Sequence, residues 1–535
     1  EAAARGARRE AAAHCRAALA QGGRLGDAER ADLLDALAAH SFELNDLAAA
    51  IDAGEAAVAL HARRGDAARQ SASWSALAMS LVRALRNAQA DAASRRAIEL
   101  AASAAAGGSA LARALATESY LRMLNRDCGL AVARGEEAIA LALAVGDAAT
   151  AARATLAAAT ATMYIDYAQG VARLEQLLLE ASRVDDGGVL LADTHQMLGT
   201  ASAELHRFDV AEAHLGAGIA VARRLDLDRV AGYMESWQAI CDLHRGRWTL
   251  ASERAHAAVR AQAAGSTNRI VALVALARVR IRRGDPGADE LLDEALALAL
   301  QSDTLQRLGL VAAARAEAAS LRGDEAAALR EASRAIALAA AKRHPWLLGE
   351  LAYWRARAVR RLADGVDGDG AALAAAIAAD AAEPYRWQID GDWARAAAAW
   401  RARGCPYEEA RALGEGDETA QRAAIAALDR LGARPLAEQI RRALRVAGVR
   451  AVPRGASEPT RQHAAGLTRR ESEVLALLAR GFSNARIAAT LSRSPRTIEH
   501  HVEAILGKFA VTSRAAAVAA ARERGLLVEA GRGNG

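Results

Sequence analysis

The apolar positions of this chain fall into helical segments that repeat at long range. A small residue followed by a branched aliphatic recurs at Leu19, Val58, Ile98, Ile139, Leu178, Ile219, Val259, Leu296 and Ile336, at spacings of 39, 40, 41, 39, 41, 40, 37 and 40 residues. The preceding residue is Ala or Gly every time except Leu177, as a site needs when a neighbouring backbone packs against it. The breaks recur too. "RRGDAAR" at Arg63, "VGDAAT" at Val145, "RRGDPGAD" at Arg282 and "RGDEAA" at Arg322 each read as a Gly helix stop followed by an Asp helix cap. Each unit is thus a helix pair, and one hairpin cannot bury its own apolar face, so the pattern predicts a stacked solenoid.

Within this array, "LGTASAELHRFDVAEAHLGAGI" from Leu198 to Ile219 resembles a tetratricopeptide repeat, through Leu198-Gly199, Ala201, Phe208, Ala211 and Gly218-Ile219. Partial matches run through Gly246, Trp248, Ala251 and Ala258-Val259, and through Gly323, Ala328 and Ala335-Ile336. The period departs from the family's usual one, which implies longer helices or loops. After Ile336 the register is harder to follow, although Gly391-Asp392-Trp393 and "GCPYEEARAL" from Gly404 read as turns feeding short helices.

Composition sharpens the fold class. The chain has 535 residues, 53% hydrophobic but only 4% aromatic, so most of its apolarity is alanine, and alanine favours helix. The expectation is an all-α architecture. Cys15, Cys128, Cys241 and Cys405 form no CxxC pair and fit buried thiols in a reducing cytoplasm. No uncharged run approaches the roughly 18 to 20 residues a membrane helix needs. The start, "EAAARGARRE", has neither an apolar signal region nor an initiator methionine, which reads as a soluble chain and leaves open that it is a fragment.

From Leu467 the texture changes. Thr468 and Glu471 have capping-box spacing, and Val474, Leu475, Leu477 and Leu478 follow on one face before Gly481. A second short helix from Ser483 carries Ile487, Ala488 and Leu491. "SRSP" then breaks the chain, with Ser494 as cap and Pro495 at the first helical position. The third helix turns Ile498, Val502, Ile505, Leu506 and Phe509 inward and Arg496, Glu499, His500 and Glu503 outward. A fourth, capped by Ser513 and containing Ala515 and Val518, closes a four-helix domain with a helix-turn-helix. Between Leu467 and Leu527 there are ten basic residues against five acidic, which equals the chain's whole formal charge of +5. The domain expectations are a tetratricopeptide-like solenoid over 1–447, a linker over 448–462, a DNA-binding domain over 463–528 and a flexible tail over 529–535.

Residues Gly466 to Val518 resemble the LuxR-type DNA-binding domain, through "LTRRESEVLALLARGFSNARIAATL", Ser494, Thr497, His501, Val502, Ile505, Lys508 and "SRAAAV". The resemblance implies that the helix from Pro495 lies in the major groove with Glu499, His500 and Glu503 toward bases. It also implies backbone contacts around Asn484, Arg493, Thr497 and Lys508, with Ser494 and Arg496 completing the set. Glu499 and Glu503 stand where basic residues are frequent. Carboxylates can accept from cytosine N4, and His500 can donate to a purine or pack on a thymine methyl. Alternatively the two glutamates pair with Arg496 and solvent. Adjacent histidines on a helix point about 100° apart, so His500 and His501 are not a chelating pair, and His501 fits a hydrogen-bonding role at a helix interface.

The combination of repeats and terminal domain resembles large ATP-binding LuxR regulators. The chain has two lysines, Lys342 and Lys508, and neither ends a phosphate-cradling loop, so an ATPase, if the protein has one, belongs upstream of Glu1. No nucleophile motif or receiver-like acidic run is visible, and His195, His206 and His214 read as surface or packing residues. No enzyme, cofactor or metal is expected. The expected partners are double-stranded DNA, a second copy of the chain on that DNA, and an unknown ligand or protein on the solenoid's concave face, with no membrane. The alternative is a repeat scaffold for a partner protein, with a vestigial DNA-binding domain.

Overall fold

A computed structural model describes residues 2–21, 25–103, 107–181, 188–261, 268–362, 380–450, 452, 467, 469–491, 493–509 and 511–523. Among them are 27 helices and no strand. Contacts divide the chain into two compact units, Glu1–Gly448 and Val449–Gly535. No single helix among the described residues is long and apolar enough to cross a membrane.

In the first unit, antiparallel hairpins stack into two layers. Every second helix, from Asp27–Glu43 and Ala67–Arg83 through Val189–Glu204 and Asp228–His244 to Leu305–Arg322 and Pro345–Leu362, touches both its chain neighbours and the next member of its own layer. The helices between them, such as Leu47–Arg64 and Phe208–Arg224, pack mainly on their chain neighbours. Burial follows from this. Inner helices such as Ala148–Met163 are enclosed nearly all round, and their small residues (Ala, Thr) allow it, whereas outer helices bury one stripe. That stripe holds the recurring small residue: Ala57, Ala97, Ala138, Gly218, Ala258, Ala295 and Ala335 are all buried. At Gly218 a Cβ would sit 2.7 Å from Met234 Sδ and 2.8 Å from His195 Cβ, so only the bare backbone fits. Leu198, Ala201, Phe208 and Ala211 of the tetratricopeptide-like segment are buried with it.

Three of the four expected Gly-Asp breaks form as read. Gly65, Gly146 and Gly323 take left-handed φ values of 68°, 73° and 83°, and Asp66, Asp147 and Asp324 accept from the backbone N–H groups of Arg69, Thr150 and Ala327. The fourth differs. Gly284 ends its helix, but Pro286 and Gly287 delay the next start to Ala288, and Asp285 instead accepts from Arg434 Nη2 at 2.7 Å. Seven other helix ends make the left-handed turn with no glycine, at Asn45, Leu85, Arg126, His206, Asp226, Asp303 and Arg343. Such residues cost about 1–3 kcal/mol each unless the surroundings hold them.

Short helices after the long ones turn back onto the inner layer. Asp392 caps Trp393–Ala402, Pro406–Leu413 follows, and Arg434–Val446 packs against Arg269–Arg283 and Leu305–Arg322. Between these segments lies a buried ionic network. Arg282 donates to Glu317 Oε1 at 2.8 Å and to Glu408 Oε1 at 2.9 Å, His244 Nδ1 lies 3.0 Å from the same Glu408 oxygen, and Arg278 donates to Glu350 at 2.8 Å. Along this stretch the inner layer is therefore covered by the chain's own helices. The array also meets itself at its hairpin turns, where the Asn87 side chain, at the start of Asn87–Ser103, donates to the Ser302 carbonyl at the end of Ala288–Ser302, and Lys342, after Glu325–Ala341, pairs with Asp127, before Cys128–Ala144.

Candidate nucleic-acid interface

The second unit builds its own core. Val474, Leu475, Leu477 and Leu478 of helix Arg469–Ala479, Ile487 and Ala488 of Asn484–Leu491, and Ile498, Val502, Ile505 and Phe509 of Pro495–Phe509 are buried together with Leu467. Leu491, Leu506 and Val518 pack partly buried on this core. In the fourth helix, Arg514–Glu523, Ala517 and Ala521 face inward and Ala515 is exposed.

The starts of the second, third and fourth helices are each set by a hydroxyl. Ser483 Oγ accepts from Arg486 N at 3.3 Å, Ser494 Oγ from Thr497 N at 3.2 Å and Ser513 Oγ from Ala516 N at 3.2 Å. The expected cap at Thr468 lies outside the described residues. Glu471, its expected partner, is buried and accepts from Lys508 Nζ at 2.5 Å, tying the first helix to the third.

The expected site residues fall into distinct places. Arg496, Glu499, His500 and Glu503 are all exposed on the face of Pro495–Phe509 opposite the core. His500 Nδ1 lies 3.7 Å from Glu503 Oε2, and among the described residues neither Arg496 nor Glu499 has an ion-pair partner. The pairing of these glutamates with Arg496 is thus not formed. Ser494 and Thr497 share a hydroxyl contact of 2.8 Å at the helix start. Arg493 is exposed, and its backbone N–H closes the preceding helix on the Ala488 carbonyl at 2.9 Å. Asn484 is half-buried with Oδ1 enclosed and unpartnered. Lys508, read as a backbone contact, is engaged by Glu471. His501 is half-buried and has no hydrogen-bond partner among the described residues, so its expected interface hydrogen bond is not made.

The first unit holds the chain's concentration of perturbed groups. Burial pushes Glu204 up, but the Arg126 charge and the His344 hydrogen bond outweigh it and hold the carboxyl at about 2. Burial likewise opposes ionisation of Glu408, and Arg282 and His244 keep it well below the usual carboxylate range. His244, Cys405 and Glu408 bring three donor atoms within 4.8 Å of one another. Their chemistry is already committed: Glu408 Oε1 is shared by Arg282 and His244, and burial drives the Cys405 thiol well above its usual value. A cation there would meet the Arg282 guanidinium. His195 and His214 place their Nδ1 atoms 3.1 Å apart, and burial followed by the His214 charge takes His195 down to about 4. His206 is enclosed and stacks on Trp346 with ring centroids 4.0 Å apart.

Residues 465–521 match the family model described as bacterial regulatory proteins, luxR family. No curated protein matches the chain. Among solved structures, a circular tandem repeat protein with novel repeat topology and enhanced subunit contact surfaces aligns at 16% identity over 84% of this chain and 96% of its own, with a TM-score of 0.15. The carboxy-terminal unit thus carries a LuxR-type helix-turn-helix domain, preceded by helical repeats.

Proposed function

We propose that this chain is a cytoplasmic transcription regulator whose helical repeats receive a ligand or partner and whose LuxR-type domain binds operator DNA as a homodimer. A LuxR-type domain supports DNA-binding transcription regulation in general. One observation carries the finer reading: the rim formed by Arg496, Glu499, His500 and Glu503 is exposed, while the opposite face of the same helix is the domain's core. Side chains so placed reach base edges when the helix enters a major groove. Arg493, Ser494 and Thr497, at the helix's start, are set to meet phosphate, where backbone N–H groups and the helix dipole favour anions. Asn484 and Lys508 belong to the same proposed set, Lys508 reaching a phosphate only alongside its Glu471 contact. Dimerisation is proposed because one recognition helix covers few base pairs.

The test is titration of the full chain with operator duplex and with random duplex over a range of salt. Log affinity should fall steadily with log salt, since phosphate contacts release counterions, and operator should be preferred. Equal affinity for both duplexes at low salt refutes the reading. That result favours the scaffold alternative, whose specific support is that two carboxylates, Glu499 and Glu503, occupy the exposed rim.

A further inference from the structure

We propose that His195 and His214 form a binding site for a divalent transition-metal ion, which both imidazoles ligate through Nδ1. The two residues stand on successive helices of one hairpin, Val189–Glu204 and Phe208–Arg224. Their Nδ1 atoms are 3.1 Å apart and their ring centroids 5.3 Å apart. Imidazole nitrogens bind zinc at about 2.0–2.1 Å, so a 3.1 Å separation sets about 98° between two such bonds, between the octahedral and tetrahedral angles. The backbone builds this approach. Each histidine has a glycine one turn later on the same face, Gly199 after His195 and Gly218 after His214. A Cβ on Gly199 would sit 2.7 Å from Leu215 Cγ, and one on Gly218 would sit 2.8 Å from His195 Cβ, so two bare backbones let the helices close at the level of the rings.

Both rings are half-buried, so packing holds them while solvent ions still reach them. Among the described residues, the only hydrogen-bond partner of each is the other. Burial lowers both from the ordinary histidine value, so at neutral pH each ring is neutral and can carry its proton on Nε2, leaving the Nδ1 lone pair for a metal. The local field also suits a cation. The charges that shift these rings are that of His214 at His195 and that of Glu175 at His214, and no arginine is among them. Glu175 is exposed on Tyr167–Ala181 and has no ion-pair partner among the described residues. The cluster of His244, Cys405 and Glu408 is the opposite case, because the Arg282 guanidinium already holds its carboxylate. Imidazole selects zinc, nickel or copper over magnesium and calcium, which take oxygen ligands, and two histidines leave the remaining positions to water or an anionic donor. Without a metal the pair shares one proton in an N–H···N bond.

The site stands on its own geometry; only its use, as the place where the repeats receive their ligand, rests on the regulator reading. The experiment is calorimetric titration of the full chain, first cleared of metal with a chelator, with zinc chloride at neutral pH and with magnesium chloride as the control. The parent chain should bind zinc and not magnesium. H195Q and H214Q should each weaken zinc binding by at least about 10-fold, the low end of what disturbing even an outer-shell partner costs, while H14Q, at an exposed histidine of Ala2–Ala20, should leave it unchanged. Equal zinc affinity in the parent, H195Q and H214Q overturns the site and leaves the pair as a proton-sharing contact. Modification by diethyl pyrocarbonate, mapped by mass spectrometry, reads the parent chain without any substitution. Zinc should shield His195 and His214, because a ring ligated at one nitrogen carries its proton on the other, and should leave His14 reactive; a pair modified equally with and without zinc overturns the proposal. Duplex binding is measured on the same preparations. A chain that binds operator but not zinc loses the metal site alone, and one that binds zinc without preferring operator loses the regulator reading alone.

Discussion

Replacing Ile505 by aspartate is the sharpest perturbation of the carboxy-terminal unit. Ile505 is 0% exposed and lies among Val474, Ile487, Ile498, Val502 and Phe509. Truncating such a side chain costs roughly 2–5 kcal/mol, and a carboxylate left there without a partner adds several more. A domain of about 60 residues has a total stability of only ~3–9 kcal/mol, so the change equals or exceeds it. The assay is urea unfolding followed by circular dichroism, with duplex binding measured in parallel. The expected outcome is loss of duplex binding and of the small unit's transition, while the transition of Glu1–Gly448 keeps its midpoint, because that unit has a core of its own. If both transitions shift together, or if the variant still melts cooperatively and binds duplex, the two-core reasoning is wrong.

Thr497→Ala should weaken binding to all duplexes alike, by about 1 kcal/mol for a lost phosphate contact, whereas His500→Ala should change which sequences are preferred; the reverse pattern in a binding-selection assay would show that the helix enters the groove on another face. Arg282→Met should destabilise the repeat unit by about 3–5 kcal/mol in urea, because Glu317 and Glu408 are then left buried with their main counter-charge gone. Glu204, held at about 2 in the fold and near 4.5 when unfolded, binds fewer protons folded than unfolded, so its stabilisation is full above pH ~4.5 and lost as pH falls toward 2. Melting of Glu204→Gln should be flatter across that window than melting of the parent chain.

Much of the repeat architecture was legible because its devices are local. A small residue every 40 or so positions marks where a neighbouring helix packs, and Gly-Asp pairs mark stops and caps. What escaped were turns and partners fixed by distant residues. Asn45, Arg126 and His206 make the same left-handed turn as Gly65. Asn and His tolerate that region better than most residues, but the arginine does not, and there the packed neighbours impose the conformation. Asp285 looked like a cap until Pro286 and Gly287 moved the helix start, and its carboxylate went to Arg434, which lies 149 residues away. The charges of Arg282, Glu317 and Glu408 read locally as ordinary helix surface, yet they meet in the interior once later helices fold back. In the carboxy-terminal unit the core, the exposed rim and the hydroxyl caps followed from spacing. The Glu471–Lys508 contact did not, because the cap and the phosphate readings each used one of its members alone.

The two clasps that close the repeats, Asn87 to the Ser302 carbonyl and Lys342 to Asp127, each join residues 215 apart. An open row of hairpins can gain or lose a member with only a local effect, because each touches only its neighbours. A fastened coil has no such freedom. Deleting or duplicating one hairpin between the clasps would throw both out of register at once, so the number of hairpins in that span is a fixed structural parameter. The closure also couples distant turns of the coil, so that this stretch should unfold as one block rather than fray from its ends.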